Sequence, residues 1–248
     1  MDFKSYIKHS DCFDEFKNIN DNTVDLVCVD LPYGQTNNKW DKPINLTTMW
    51  LLLNRICKDR CIYVFFCTTK YGYELIESNY DNFRYDLVWK KNIGNGWFNA
   101  KKQPLRSHEM IYVFYNKVGT YNPQKVKGTP WKHKGGKYKD GKTDNYNKTK
   151  RKTYDTVNTD RYPKSVLEFN IPTTKEKYHK TQKPTDILEW IIKTYSNDND
   201  IVLDFTMGSG STIEACINTN RRYIGIEKDN DIFYIAKNRI DNIHKSLD

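Results

Sequence analysis

Short apolar segments that favour β-strands alternate along most of this chain with segments that favour α-helices. Residues 24–30 (VDLVCVD) predict a buried strand, residues 46–58 a helix, and the alternation recurs up to a terminal helix at 229–244. Because each helix carries the chain back across the sheet, this alternation is typical of a mainly parallel sheet covered on both faces. Seven strands are predicted, at 3–9, 24–30, 61–67, 85–90, 110–115, 201–204 and 223–227. The sequence therefore predicts an α/β fold of the doubly wound type.

The composition supports a folded protein and excludes several other classes. The 248 residues suit one large domain or one domain with an insertion, and 18 Tyr, 11 Phe and 6 Trp can form a substantial core. No apolar run approaches the roughly 18 residues of a membrane span, and the N-terminus has no signal-peptide pattern, so we expect a cytoplasmic protein with no membrane segment. The six cysteines form no CxxC pair and have no His at ligand spacing, which favours reduced, buried thiols over zinc and predicts no metal.

The net charge of +9 is concentrated in one segment. Residues 117–164 contain fourteen Lys or Arg and four Asp, so this segment carries +10 and the rest of the chain −1. A nearly neutral body with one strongly basic stretch indicates an enzyme that binds a polyanion; a flexible, solvated linker is the alternative. Aromatic residues among the lysines, such as Trp131, Tyr138 and Tyr146, favour binding, because linkers rarely keep them.

A glycine-rich turn between a strand and a helix is the first candidate site. In DFTMGSGST (204–212) the small residues allow a sharp turn and a close ligand approach to the helix N-terminus. The next strand ends at Glu227, where a carboxylate can accept hydrogen bonds from a ribose. A structural tight turn is the alternative, but turn and acid together favour a nucleoside cofactor.

Of two further motifs, one follows a strand and the other precedes a helix. DLPYG (30–34) ends the strand at 24–30, and ligands of open α/β sheets bind outside such carboxyl ends. A carboxylate, a rigid Pro and an aromatic ring can together hold a planar amino group, although xPYG also occurs in ordinary turns. HKTQKP (179–184) offers polar groups for a carboxylate or a cofactor tail, or a simple helix cap at Thr181.

These motifs, in this order, resemble one family. The order is D-x-P-Y, a basic middle, HxTQKP, a DxxxGSG turn and IGIE, with LVWKKN and SHEMIYVFYN as supporting fragments. The chain is similar to DNA amino-methyltransferases of the permuted (beta) class, which methylate adenine N6 or cytosine N4. The resemblance covers nearly the whole chain except 117–164.

The resemblance implies the rest of the architecture. It implies a Rossmann-like, seven-stranded methyltransferase sheet that is circularly permuted, with strands one to four at 201–204, 223–227, 3–9 and 24–30. The catalytic half would occupy residues 1–116, a target-recognition insert 117–164, and the cofactor-binding half 165–248. The implied cofactor is S-adenosylmethionine and the implied partner is double-stranded DNA. A restriction–modification setting and a homodimer are also typical of the family.

The resemblance also implies roles for individual residues. The catalytic set is Asp30, Leu31, Pro32 and Tyr33. The cofactor-binding set is Asp11, Cys12, Asp30, Thr181, Gln182, Lys183, Asp204, Gly208, Ser209, Gly210, Ser211 and Glu227, with Asp11 expected near the adenine of the cofactor. The DNA-binding set is Trp40, Lys132, Arg151, Lys152 and Arg161. Trp40 and its neighbour Asp41 are expected to close over the substrate base.

The chain departs from the family pattern at a few positions. Leu31 stands where Pro is usual, Lys180 replaces a common Pro, and Phe205–Thr206 stands in place of Pro-Phe, which puts an aromatic packing role at 206 in doubt. No group that the chemistry requires is lost. The sequence therefore predicts an adenine-N6 DNA methyltransferase. Cytosine-N4 methylation, an inactive DNA-binding partner of the same fold, and methylation of RNA or protein stay open as alternatives.

Overall fold

A computed structural model describes residues 3–34, 41–133, 156–173 and 182–247. The elements follow in the order β1 (Tyr6–His9), α1 (Cys12–Phe16), β2 (Val24–Asp30), α2 (Leu46–Ile56), β3 (Cys57–Cys67), α3 (Thr69–Ser78), β4 (Phe83–Asn95), β5 (Arg106–Phe114), β6 (Val126–His133), β7 (Thr156–Arg161), β8 (Val166–Glu168), α4 (Thr185–Tyr195), β9 (Ile201–Asp204), α5 (Ser211–Asn218), β10 (Arg222–Glu227) and α6 (Asn230–Leu247). Short 3₁₀ turns occur at Tyr80–Asn82 and Trp97–Asn99.

Eight strands form the central sheet, in the order β1-β10-β9-β2-β3-β5-β4-β8. The first five are parallel, β5 runs antiparallel to both of its neighbours, and β8 pairs parallel with β4. The predicted α/β fold and all seven predicted strands are thus confirmed. The additional strand, β8, is a three-residue edge strand that pairs Val88 with Val166 and Lys90 with Glu168. Three residues are too few to produce a recognisable alternation, so the sequence does not predict it.

The strand order reverses between β9 and β2. From β9 the chain passes through α5 to β10 on one side, and from β2 it passes through α2 to β3 on the other. Such a switch point leaves a crevice at the carboxyl ends of the two strands, where open α/β sheets bind ligands. At the far edge β1 pairs with β10, from Tyr6 with Ile224 to His9 with Glu227. The first strand therefore lies beside the last, as the implied order requires; the circular permutation itself stays a prediction.

Two apolar cores lie on the two faces of this sheet. Alternate residues of β2 point to opposite faces, so Val27 and Val29 pack with α1, α2 and α3, whereas Leu26 and Cys28 pack with α4, α5 and α6. Trp50 of α2 contacts aromatic rings of β3 and β5 with centroids 5.3–5.5 Å apart. Five of the six cysteines are buried and all six are free thiols, as the sequence predicts. The two cores hold the strand ends of the switch point in place.

The chain divides into two compact units, Met1–Asn122 with Ser165–Asp248, and Pro123–Lys164. The larger unit contains the eight-stranded sheet. In the described part of the smaller unit, β6 and β7 form an antiparallel pair in which Val126 lies opposite Arg161. The first six residues of the predicted insert, 117–122, belong to the larger unit; for example, the Asn122 amide donates to the Thr194 carbonyl at 2.7 Å.

The described ranges contain neither a membrane-spanning helix nor a metal-binding cluster. None of their helices is long and apolar enough to cross a membrane. Their His, Cys, Asp and Glu side chains include no group of three that could hold a metal ion.

Candidate active site

Asp30 is the last residue of β2 and lies at the switch point. Its carboxylate accepts a hydrogen bond from the Tyr33 hydroxyl at 2.7 Å and another from the Lys183 ammonium. Burial raises the pKa of Asp30, the positive charge of Lys183 opposes that shift, and the nearby Glu109 adds to it. Burial and the Asp30 charge also raise the pKa of Tyr33, so its hydroxyl stays a donor. The structure thus joins the two polar side chains of the predicted catalytic motif.

The loop that follows Asp30 is held by a buried carboxylate. Asp41 is 6% exposed, and its Oδ1 accepts hydrogen bonds from the backbone amides of Tyr33 and Gly34, each at 2.8 Å. Gly34 has φ +66°, and a Cβ there would lie 2.7 Å from the Cγ of Pro43, so only glycine fits. These contacts give Asp41 a structural role in the loop, and its expected place over the substrate base stays a prediction. Its neighbour Trp40 lies outside the described residues.

Lys183 belongs to a row of four alternating charges. Its ammonium lies between Asp30 and Glu109, 3.2 Å from Glu109 Oε2, and Glu109 also pairs with Lys91. Burial by itself would raise the pKa of Glu109, but Lys183 and Lys91 lower it to about 2. Burial by itself would lower the pKa of Lys183, but Asp30 and Glu109 raise it. Glu109 and Lys183 are therefore both charged at neutral pH in a largely buried site.

The sequence predicts only part of this row. Lys183 is predicted to bind the cofactor; its ammonium donates to the Asp30 carboxylate, and the cofactor role stays a prediction. Glu109 and Lys91 are not predicted as site residues, although they lie within the fragments SHEMIYVFYN and LVWKKN. The pairing of Lys91 with Glu109 follows from the strand register. Strands β4 and β5 place Trp89 opposite Glu109, and Lys91, two residues further along β4, lies on the same face as Trp89.

The glycine turn after β9 is fixed by Glu227 at the end of β10. The Gly208 amide donates to Glu227 Oε2 at 3.0 Å and the Asp229 amide to Oε1 at 2.7 Å. Burial raises the pKa of Glu227, and these two hydrogen bonds oppose the shift. Gly208 and Gly210 have φ of +53° and +79°, a backbone region that favours glycine. A Cβ on Gly210 would lie 3.3 Å from Ala236, whereas among the described residues one on Gly208 would meet only the Thr206 carbonyl at 4.0 Å, so this part of the structure leaves the turn open beside Gly208.

Thr206 connects the glycine turn to the catalytic motif. Its hydroxyl donates to the carbonyl oxygen of Asp30 at 3.0 Å, and its amide donates to Asp204 Oδ1 at 3.2 Å. Burial raises the pKa of Asp204 to about 7, with the charges of Asp30 and Glu227 adding to the shift. The residue that replaces an aromatic side chain in the family pattern therefore has a hydrogen-bonding role here.

Arg239 of α6 donates hydrogen bonds to the glycine turn, and the sequence does not predict this role. It is 3% exposed and donates to the Ser209 carbonyl at 3.1 Å and to Ser211 Oγ at 3.0 Å. It also pairs with Glu214. In sequence Arg239 is one of many basic residues on a polar helix, so no local signal identifies it. The contacts show that Ser209 and Ser211 are positioned by a buried guanidinium.

Asp11 lies two residues beyond β1, whose last residue, His9, pairs with Glu227. Its carboxylate caps α1 by accepting the Phe13 amide at 2.9 Å, and it also accepts the Lys228 ammonium at 2.9 Å. The pKa of Asp11 is lowered, because these hydrogen bonds and the Lys228 charge outweigh the effect of burial. Burial raises the pKa of the adjacent Cys12 thiol to about 12, so this thiol stays protonated. Neither side chain is tested as a cofactor contact, and both assignments stay predictions.

The remaining predicted residues lie elsewhere or outside the described ranges. Gln182 is half-buried just before α4. Lys132 is exposed on β6, and Arg161 on β7 donates to the Thr129 carbonyl at 2.6 Å within the smaller unit. Thr181, Arg151 and Lys152 lie outside the described residues.

The switch point thus carries a carboxylate motif on β2, a glycine turn after β9 and an acid at the end of β10. This is the arrangement of a doubly wound α/β enzyme whose ligand crevice lies at the carboxyl edge of the sheet. Residues 24–238 match a model of the N6/N4 DNA methylase family. The chain therefore belongs to that family and is an S-adenosylmethionine-dependent DNA methyltransferase.

Individual DNA methyltransferases are similar to this chain in sequence or in fold. The chain is 28% identical to the Type II methyltransferase M1.MboII of Moraxella bovis, over 89% of this chain and 90% of that protein. It is 27% identical to the Type II methyltransferase M.HpaI of Haemophilus parainfluenzae, over 96% of this chain and 75% of that one. The crystal structure of the M1.HpyAVI–SAM complex is similar with a TM-score of 0.65 and 25% identity, over 95% and 98% of the two chains. The cytosine-N4-specific PvuII DNA methyltransferase shares the fold, with a TM-score of 0.68 and 13% identity over 96% and 86%.

Proposed function

We propose that this protein transfers a methyl group from S-adenosylmethionine to N6 of adenine in duplex DNA. The observation that carries the choice of base is the aspartate that opens the motif 30–33, because cytosine-N4 enzymes that resemble this family more often begin with Ser. Asp30 supports the proposal by its position, since it ends β2 at the switch point of the sheet.

The residues around the glycine turn fit S-adenosylmethionine. The backbone is open beside Gly208, so a ligand can approach it closely. Each carboxylate oxygen of Glu227 accepts one hydrogen bond from a backbone amide. Each oxygen therefore keeps a lone pair that can accept a hydrogen bond from a ribose hydroxyl. Asp11 would meet the adenine amino group and 208–211 the methionine end. When bound, the cofactor supplies an electrophilic methyl group on a sulfonium.

The catalytic motif acts on the amino group of the target base. The N6 lone pair is conjugated with the purine ring and is a poor nucleophile. The Asp30 carboxylate, already bonded to Tyr33 and Lys183, keeps further lone pairs, and with the carbonyl of Leu31 or Pro32 it accepts both amino hydrogens. A nitrogen held in this way directs its lone pair toward the methyl group. Because the Tyr33 hydroxyl is bonded to Asp30, its ring is held in one orientation from which it stacks on the base.

The target base must leave the duplex to reach this motif. An amino group inside a duplex is stacked and paired, and flipping the base costs a few kcal/mol. We propose that the basic segment 117–164, with Lys132, Arg151, Lys152 and Arg161, binds the phosphates and reads the target sequence, together with Trp40. DNA as the substrate is also the reason to place the protein in the cytoplasm.

Mass spectrometry of DNA from cells that express the chain tests the proposal. Cells that express the Asp30→Ala variant provide the control. N6-methyladenine in the first DNA and not in the second is the expected result. N4-methylcytosine would assign the enzyme to the other branch of the family, and unmethylated DNA from well-expressed protein would contradict the proposal altogether.

A further inference from the structure

The hairpin of β4 and β5 extends well beyond the rest of the sheet. Strand β3 ends at Cys67, opposite Met110 of β5, whereas β4 and β5 stay paired as far as Asn95 and Arg106. From the Val88–Met110 pair to the Asn95–Arg106 pair β5 advances four residues, about 13 Å at roughly 3.3 Å per residue, while β4 takes up three extra residues in a register shift between Lys90 and Asn95. The hairpin therefore projects as a two-stranded arm.

The arm projects from the edge that carries the catalytic motif. Asp30 of β2 pairs with Phe66, and Phe66 pairs with Ile111, one residue before the end of β3. Strand β4 runs in the same direction as β2 and β3, because β5 is antiparallel to both β3 and β4. The tip of the arm and Asp30 are consequently at the same end of the sheet.

Two adjacent aromatic side chains are exposed at the tip. Trp97 is 70% exposed and Phe98 is fully exposed, in the 3₁₀ turn that follows Gly96. Gly96 has φ +96°, which permits the tight reversal. Large aromatic side chains in water at the end of an arm contribute nothing to the core, and exposed apolar groups of this kind mark interaction sites.

The arm also carries a net positive charge. Residues 90–108 contain five Lys or Arg and no Asp or Glu. Lys90 and Lys91 pair with Glu168 and Glu109 at the base of the arm, whereas Lys101 and Lys102 are exposed at the tip. A positive tip with exposed aromatic rings is complementary to a polyanion that has planar, stackable groups.

We infer that the tip of the arm, residues 96–102, is a second DNA-binding site besides the segment 117–164, and that it contacts the duplex beside the flipped base. Trp97 and Phe98 pack against bases or sugars in a groove, as apolar wedges do when they support unstacking. Lys101 and Lys102 contact the flanking phosphates. The duplex must lie along this edge for a base to reach Asp30, so the arm is already on the correct side. The inference rests on duplex DNA being the substrate, but not on which base is methylated.

The test compares two pairs of exposed hydrophobic residues in the full-length protein. The tip variant is Trp97→Ala with Phe98→Ala. The control variant is Leu51→Ala with Tyr80→Ala, which removes side chains that are 70% and 73% exposed, on α2 and at the opposite end of β4. Fluorescence anisotropy measures Kd for mixed-sequence duplex DNA, and calorimetry measures Kd for S-adenosylmethionine.

We expect the tip variant to bind duplex DNA at least about tenfold more weakly, as expected when a base loses an aromatic platform, with unchanged S-adenosylmethionine affinity. The control variant should stay within about twofold of the parent protein. Lys101→Gln with Lys102→Gln should reduce the slope of log K against log salt by about 1.8, at about 0.9 for each lost phosphate contact.

Other results would overturn the inference. An unchanged DNA Kd for the tip variant would do so directly. If sedimentation shows that the parent protein self-associates and the tip variant does not, with DNA affinity unchanged, the tip is a contact between copies. If the tip is needed for binding anionic vesicles and not DNA, it is a membrane contact. A parent protein that binds duplex DNA through the tip but methylates cytosine would contradict the proposed choice of base and leave this inference intact.

Discussion

Lys183 donates a hydrogen bond to Asp30 across 153 residues of sequence. The contact joins the segment that precedes α4 to the last residue of β2, so two parts of the chain that are far apart in sequence share one ion pair. Breaking one side of a buried pair leaves an uncompensated charge, which is far more costly than losing an exposed pair. Lys183 therefore opposes the rise in the pKa of Asp30 that burial causes, and losing it should destabilise the protein.

Replacing Lys183 with Met should shift the acid limb of the pH–rate profile. Without the ammonium, burial and Glu109 act on Asp30 unopposed, so the pKa of Asp30 rises further and kcat/KM begins to fall at a higher pH. The variant should also lose about 3–5 kcal/mol of stability. The loss should increase with pH, because Asp30 and Glu109 then ionise with less compensation. The pH dependence of kcat/KM and thermal unfolding, both recorded from about pH 5 to about pH 9, measure the two effects.

Lys91→Met is the matched control for that experiment. Lys91 pairs with Glu109 and is stacked over Trp89, but it does not contact Asp30. The Lys91→Met substitution should therefore destabilise the protein and leave the acid limb of the pH–rate profile nearly unchanged. Equal shifts in the two variants would show that the effect is general and not due to the contact with Asp30.

Asp30→Ala should abolish methyl transfer and keep binding. The carboxylate is used most strongly in the transition state, so we expect a loss of at least about a hundredfold in kcat. Affinities for S-adenosylmethionine and for DNA should change little. A tritiated-methyl transfer assay on mixed-sequence duplex DNA measures the rate, and turnover close to that of the parent protein would rule out the mechanism.

Glu227→Ala should weaken S-adenosylmethionine binding by about 1–3 kcal/mol, the usual cost of leaving a buried partner unpaired. Two effects contribute, because Glu227 also holds the Gly208 and Asp229 amides. Calorimetric titration measures the change, with Asp231→Ala, an exposed acid in the first turn of α6, as the control. An unchanged dissociation constant would remove Glu227 from the cofactor site.

Asp204→Asn should change how stability depends on pH. The folded pKa of Asp204 is about 7 against an ordinary value of 3.8, so the folded protein holds a proton through this window that the unfolded chain releases. The stability of the parent protein therefore falls as pH rises through this window, whereas an amide does not titrate. The variant should gain stability relative to the parent protein between pH 4 and pH 8, by up to about 4 kcal/mol. Parallel calorimetric profiles of the two proteins would contradict the raised pKa.

Replacing the compact unit Pro123–Lys164 with a short Gly-Ser linker should greatly weaken DNA binding. Phosphate contacts by its Lys and Arg residues make affinity fall steeply with salt, so the salt slope should also decrease. S-adenosylmethionine affinity should be nearly unchanged, because the turn and Glu227 belong to the larger unit. If the folded, shortened protein binds DNA as before, the segment is a linker.

Local patterns determine much of this protein. The apolar run 24–30 and the alternation of strands and helices predict seven strands correctly, because burial on both faces requires continuous apolar strands. The motifs at strand ends predict the active edge for the same reason, since carboxyl ends of parallel strands meet there. The positions of Asp30, Tyr33, Gly208 and Glu227 relative to the sheet thus follow from sequence.

Only the tertiary structure decided what these groups contact. Lys183 on Asp30, Glu109 beside Lys183, and Arg239 behind the glycine turn depend on pairings between residues far apart in sequence. The same is true of the edge strand β8, whose three residues acquire their structure from β4. Side-chain periodicity reports which face of an element is buried, but it carries no information about which distant charge arrives there. That choice is made by strand order and register, which bring Lys183 and Glu109 close to Asp30, where they shift its pKa in opposite directions.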